Sequence, residues 1–288
     1  MKKHLLFLLI IMFYGCTESN LSFHPRLNPS RGTLELVQTF GGSKNDVAKS
    51  VVSTADGGFA VLGYTQSLDG DITDKATEDY DFWMLKFNSE AQLEWNKTYG
   101  GSGDDRGSSI IETSDGGYAL LGYSDSSDGD VSSNNGNRDF WLVKINDSGV
   151  VTWEKSFGYG GVDEGVSIIE TSDNHLILSG VLDVTASGGE GNQGRFTTKH
   201  AGGDYWSIKI STTGDIVWSR FYGGSFTDSP AGISETLIGG FINVGGSDSN
   251  DVDISNNKGS YDFWIVKSDV NGDIVWEKSF GGSEIDEA

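Results

Sequence analysis

Aspartates alternate in three stretches of this sequence: Asp69 and Asp71 in "SLDGDIT", Asp125, Asp128 and Asp130 in "SDSSDGDVS", and Asp248, Asp251 and Asp253 in "SDSNDVDIS". Carboxylates so spaced beside glycine and serine suit a hard cation, because calcium takes six to eight oxygens from carboxylates, carbonyls and water. Calcium is the one cofactor the sequence suggests. The plainer alternative is a solvated acidic turn, since none of the three stretches has the twelve-residue frame or closing glutamate of an EF-hand.

Other chemistries find less material. The four histidines are His4, His24, His175 and His200, which gives neither a zinc cluster nor a nucleophile paired with a base. A glycosidase needs two opposed carboxylates about 5–10 Å apart, and the chain has too many acidic residues to single out a pair. Many of its charges instead recur in step. Asp46, Asp105, Asp163, Asp228 and Asp286 form one series, and Asp81, Asp139, Asp204 and Asp262 a second. Lys86, Lys144, Lys209 and Lys267 form a third, and Lys97, Lys155, Arg220 and Lys278 a fourth. Charges in step with a repeat cap turns or bridge strands, whereas a catalytic residue is needed once. One stretch stands apart: Arg195, Lys199 and His200 make a basic spot in an acidic array and are the candidate ligand-contacting loop.

The elements that must position these residues repeat as well. All eight tryptophans fall in pairs twelve positions apart: Trp83 with Trp95, Trp141 with Trp153, Trp206 with Trp218, and Trp264 with Trp276. Each pair brackets a turn, as in "RDFWLVKINDSGVVTW", and successive pairs begin 58, 65 and 58 residues apart. The unit from Tyr99 to Phe157 holds four short apolar runs bounded by glycine and aspartate. Runs this short and this rich in β-branched and aromatic residues predict strands, and no window has a helical period. The 41 glycines, about twice the usual share, supply turns.

Alternation in the third strand puts Trp141, Val143 and Ile145 on one face and Phe140, Leu142 and Lys144 on the other. In the fourth, Val151, Trp153, Lys155 and Phe157 share a face. Apolar groups on both faces require cover on both sides, which stacking against like sheets provides. The expected architecture is therefore all-β, a β-propeller of four-stranded antiparallel blades of about 58 residues, as an incomplete ring. The tryptophans read as staples between blades.

The pattern "GGSxxD … DGG(F/Y) … DGD … D(F/Y)W … G-x-x-x-W" resembles the secreted β-propeller repeat proteins of bacteria, many of them lipoproteins. The ending "GDIVW" is similar to the tryptophan-docking segment of quinoprotein-type propellers, and the whole to bulb-type-lectin-like repeat proteins. The likeness spans residues 34 to 288, as four blades with partial strands at both ends. "LELVQTF" at 34–40 aligns with the fourth strand "LEWNKTY", and the end at "FGGSEIDEA" leads us to expect a longer protein.

The opening "MKKHLLFLLIIMFYGC" has a charged start and an apolar run too short to span a bilayer, the form of a signal peptide over residues 1–15. The following Cys16, the sole cysteine, resembles the lipidated residue of a bacterial lipobox; residues 16–33 then form a tether. With 42 acidic and 20 basic residues, net charge −22, the chain offers no surface for nucleic acid. The expected partners are a glycan or an extracellular protein, with membrane contact only through the lipid anchor. The expected location is the bacterial cell envelope, anchored to outer membrane or cell surface, or else secretion. The function expected from these features is non-catalytic recognition or scaffolding through propeller loops. The alternative is a polysaccharide-acting, endoglucanase-like enzyme or its accessory module.

Overall fold

A computed structural model describes residues 37–192 and 200–286. The chain divides into two units, Met1–Phe40 and Gly41–Ala288. Of the first, only Val37–Phe40 is described, and it carries no strand. Cys16, the predicted signal and the tether lie outside the described residues.

The second unit is four four-stranded antiparallel sheets, each in simple sequence order. The first holds β1 (Asp46–Ser53), β2 (Phe59–Thr65), β3 (Asp81–Phe87) and β4 (Leu93–Tyr99). The second holds β5 (Asp105–Glu112), β6 (Tyr118–Ser124), β7 (Asp139–Ile145) and β8 (Val151–Phe157). The third holds β9 (Glu164–Glu170), β10 (Leu176–Asp183), β11 (Gly203–Ile210) and β12 (Ile216–Tyr222). The fourth holds β13 (Asp228–Glu235), β14 (Phe241–Ser247), β15 (Asp262–Ser268) and β16 (Ile274–Phe280). The innermost strands β5, β9 and β13 each pack on the preceding sheet, so the sheets follow one another as blades. They do not close into a ring.

The predicted faces of the third strand are correct. Trp141, Val143 and Ile145 join the core between the first and second sheets, while Phe140 and Leu142 join the core between the second and third. The fourth strand departs from expectation. Lys144 pairs with Trp153 and Ile145 with Val151, which leaves Thr152 as a bulge. The bulge breaks the alternation, so Val151 packs on the first seam and Trp153 on the second. The same shift recurs at the same place in the other sheets.

Each seam uses an aromatic ring of one sheet against the first tryptophan of the next: Phe82 on Trp141 at 4.7 Å, Phe140 on Trp206 at 5.0 Å, and Tyr205 on Trp264 at 4.8 Å between centroids. A glycine in the second strand makes room for that ring. A side chain on Gly122 would stand 2.0 Å from the Arg106 carbonyl and 2.8 Å from the Phe82 ring. We therefore expect Gly122→Ala to cost about 1–3 kcal/mol of stability by overpacking, read by urea denaturation. Gly232→Ala, where a Cβ meets nothing within 4 Å, is the control expected to change little.

Carboxylates tie the seams at their edges. Glu112, Glu170 and Glu235 accept the amides of Ala55, Ser114 and Ser172 in the first hairpin turn of the preceding sheet. Trp83, Trp141, Trp206, Trp218 and Trp264 are buried, and all of these but Trp83 lie in the cores between sheets. Trp95 and Trp153 are half-buried, and Trp276, on the uncovered face of the fourth sheet, is 41% exposed. One element was not foreseen: Val184–Ser187 forms a single helical turn, α1, which Asp183 caps by accepting the Ala186 amide.

Candidate functional site at the sheet axis

The loop aspartates are held by backbone amides. Asp69 accepts from Ser43 N at 2.7 Å and Asp71 from Gly41 N at 2.9 Å, closing the loop on the "GGS" turn. Asp128 and Asp130 repeat this with Ser102 N and Gly100 N, and Asp251 and Asp253 with Ser225 N and Gly223 N. Asp125 accepts the Asp104 amide, and Asp248 donates its own amide to Thr227. Among the described residues no group of three or more His, Cys, Asp or Glu is placed to share a metal ion.

The recurring charges do structural work of the kind expected. Asp46, Asp105, Asp163, Asp228 and Asp286 each accept the amide four residues earlier. Lys86, Lys144 and Lys209 pair with Asp56, Asp115 and Asp173 of the hairpin turn in their own sheet. The fourth sheet has "TLIGG" there, so Lys267 bonds to Thr236 Oγ1 and the Gly239 carbonyl instead. Lys155 and Arg220 reach forward to Asp215 and Asp273 of the next sheet.

Of the predicted basic loop, Arg195 and Lys199 lie outside the described residues, and His200 is turned inward. Its Nδ1 is 2.6 Å from Asp204 Oδ2 and its Nε2 is 3.8 Å from Asp253 Oδ2, with the ring edge on Phe221. Burial first, then the charges of Asp228, Asp253 and Asp251, push the Asp204 carboxyl up to about 9. Burial holds the His200 imidazole below its usual value against the pull of Asp253, Asp228 and Asp251. The pair is buried, with too little exposure to meet a ligand.

What the sequence reading missed lies on the inner strands. Each has one bulge at the equivalent position. Register skips Lys49 between Ala48 and Ser50, Ser108 between Gly107 and Ser109, Val166 between Gly165 and Ser167, and Ala231 between Pro230 and Gly232. A bulge leaves its extra residue unpaired and re-aims the side chain, which is why bulges concentrate beside active sites. All four extra residues line a single cavity of about 460 Å³ at the axis, shared with Tyr64, Arg106, Gly107, Tyr123, Glu164 and Gly165.

Arg106 is set by Asp104, 2.7 Å from its Nη2, and by the rings of Tyr80 and Tyr64 at 4.1 and 5.2 Å. Its Nε is buried and donates to nothing among the described residues. Lys49 Nζ is 5.9 Å from the same Tyr64 ring, so two cations lie near one aromatic ring. Glu164 is the only carboxylate in the lining, and Arg138 Nη1 holds it at 2.7 Å. The sequence signal was present. In the aligned runs "VAKS", "RGSS", "EGVS" and "SPAG" the third residue changes character at every repeat, while its neighbours stay mostly small.

No family model matches this chain, and no curated protein matches it. Among solved structures, one provisionally named a gluconolactonase aligns over 85% of this chain and 80% of its own, at a TM-score of 0.36 and 9% identity. That neighbour is named for an enzyme, so the expectation of a non-catalytic recognition or scaffold protein gains no support from it. The polysaccharide-acting alternative is a different enzyme type and gains no support from it either. At this distance the neighbour carries no substrate or residue over to the present chain.

Proposed function

We propose that this protein is an enzyme whose site is the axial cavity, acting on a small anionic substrate by proton transfer through Glu164. The observation that carries the reading is the set of four bulges. A repeated backbone device delivers four different side chains, from four sheets, into one cavity of a size that suits a small molecule. Lys49 and Arg106 bring positive charge to a chain of net −22, which concentrates an anion at that point of an otherwise repelling surface. Glu164, opposite in charge and present once, is the proton carrier.

Calorimetry on the full chain with a panel of small carboxylates and phosphates, followed by proton NMR for turnover, tests the reading. Arg106→Ala is expected to weaken binding at least about tenfold, the loss of a charge-assisted contact. Glu164→Gln is expected to keep binding and reduce turnover at least about a hundredfold. Absence of binding by every anion, or indifference to Arg106→Ala, overturns it.

Calcium in the aspartate loops and anchoring through Cys16 at the bacterial envelope stand beside this reading as separate proposals. A calcium ion there would have to take oxygens that now accept backbone amides.

A further inference from the structure

Resting on the axial-cavity reading, we infer that the substrate is an amphipathic carboxylate, with its anionic head on the first and second sheets and an apolar body against the third and fourth. The four bulge residues divide by sheet. The first two sheets contribute Lys49 and Ser108, and the last two contribute Val166 and Ala231. The rest of the lining follows this division in part: Arg106 lies on the polar side and Gly165, bare of any side chain, beside Val166, while Glu164 of the third sheet, held by Arg138, is the one charged group on the other side.

The polar side is unsatisfied as it stands. Lys49 Nζ and the Arg106 guanidinium both lie within 6 Å of the Tyr64 ring, at 5.9 and 5.2 Å. No carboxylate is within ion-pair distance of Lys49 among the described residues. The Arg106 Nε–H has no acceptor among the described residues. A ligand carboxylate would give Lys49 an opposite charge and that N–H an acceptor in a charge-assisted bond. Glu164 does not serve, because its Oε1 is engaged by Arg138 at 2.7 Å.

Away from Glu164, the other side disfavours a polyhydroxylated body. Val166, Ala231 and Gly165 carry no side-chain donor or acceptor, so sugar hydroxyls pressed on them would lose water without replacement, which costs about 1–3 kcal/mol per group. An alkyl or aryl body gains from the same surface in proportion to the apolar area it buries. The bulges therefore act as specificity positions, one per sheet, on a backbone that does not change.

Calorimetry on the full chain with three probes tests the inference: 4-phenylbutyrate, its neutral amide 4-phenylbutyramide, and glucuronate. We expect 4-phenylbutyrate to bind at least tenfold more tightly than either of the others. Lys49→Met is expected to remove most of the preference of acid over amide while leaving amide binding unchanged. Ala231→Ser with Val166→Thr is expected to narrow the preference over glucuronate, with thermal melting of each variant confirming that it folds. Tighter binding of glucuronate overturns the amphipathic substrate and leaves the anionic cavity standing. Equal binding of acid and amide, or no binding by any probe, overturns both.

Discussion

Trp141→Ala is expected to lower the unfolding free energy by about 3–5 kcal/mol, and Trp276→Ala by less than about 1 kcal/mol, although the two substitutions remove the same atoms. Trp141 is fully buried at the seam of the first two sheets. Its indole meets Phe82 edge to face, and its Nε1 donates to Glu154 Oε2 at 2.8 Å. Truncation leaves a cavity between two sheets and takes away the partner of Glu154. Trp276 lies on the face of the fourth sheet that no further sheet covers and keeps 41% of its surface, with Lys278 over its ring at 5.9 Å. The midpoints and slopes of urea denaturation curves measure both. Equal losses would mean that the indoles do not hold the sheets together and that the seam is not where the stability lies.

That contrast marks what the sequence could and could not tell. The blade was legible because its signals are local. Four runs of strand length, a turn after "DGG" and the aspartate before each "FW" or "YW" pair all survive repetition. Two hairpin turns even keep the required left-handed backbone without glycine, at Asn174 and Ala91, where the repeat alone identifies the turn. The burial of each particular tryptophan was not legible, since exposure depends on whether a neighbouring sheet exists, and Trp276 has the same local sequence as Trp218. The bulge at Thr152 was hidden for a related reason: the pattern of period two carries no mark where one residue is skipped. The axial site was the least visible part. Lys49, Ser108, Val166 and Ala231 share no chemistry, and a search for residues that could act together passes over them. Only superposition of the repeats shows that one column varies where its neighbours do not. The carboxylate pairs that drew the eye, Asp69 with Asp71, Asp128 with Asp130 and Asp251 with Asp253, are bound to amides of the preceding glycine turn and explain shape more than chemistry.

The second large effect is on pH, and its direction is the reverse of ordinary acid denaturation. Asp139 is buried with its Oδ1 unpartnered, and burial, together with the charge of Asp163, raises its carboxyl to about 6. Gly158 brings the two acids together: a Cβ there would stand 2.2 Å from Asp139 Oδ1 and 2.9 Å from Asp163 Oδ2. Burial likewise raises Asp81 to about 7, Asp105 and Asp228 to about 6, and Asp204 to about 9. Each of these acids has a folded pKa above its unfolded value near 3.9, so the folded chain holds more protons between the two values. Their contribution to stability is complete below about pH 4 and is lost as pH rises through 6 to 7, with Asp204 continuing the loss toward 9. Asp115, lowered to about 2 by Thr113 and Lys144 against the opposing effect of burial, works in the opposite sense, but only below pH 4, and His200, lowered by burial, opposes the acids up to its unfolded value near 6.5. We therefore expect the melting temperature at constant ionic strength to fall by at least about 5 °C between pH 5 and pH 8, from a loss of a few kcal/mol at about 2–4 °C each. Asp139→Asn is expected to raise the melting temperature at pH 8 and to flatten the slope. The amide oxygen can still accept from Asn135 N, and an NH₂ replaces the orphaned oxygen with a donor facing Asp163. A melting temperature that is flat or rises from pH 5 to 8 would show that the buried carboxylates are ionised and compensated in solution. A slope abolished by added calcium would assign that compensation to the metal, at the seams rather than in the loops.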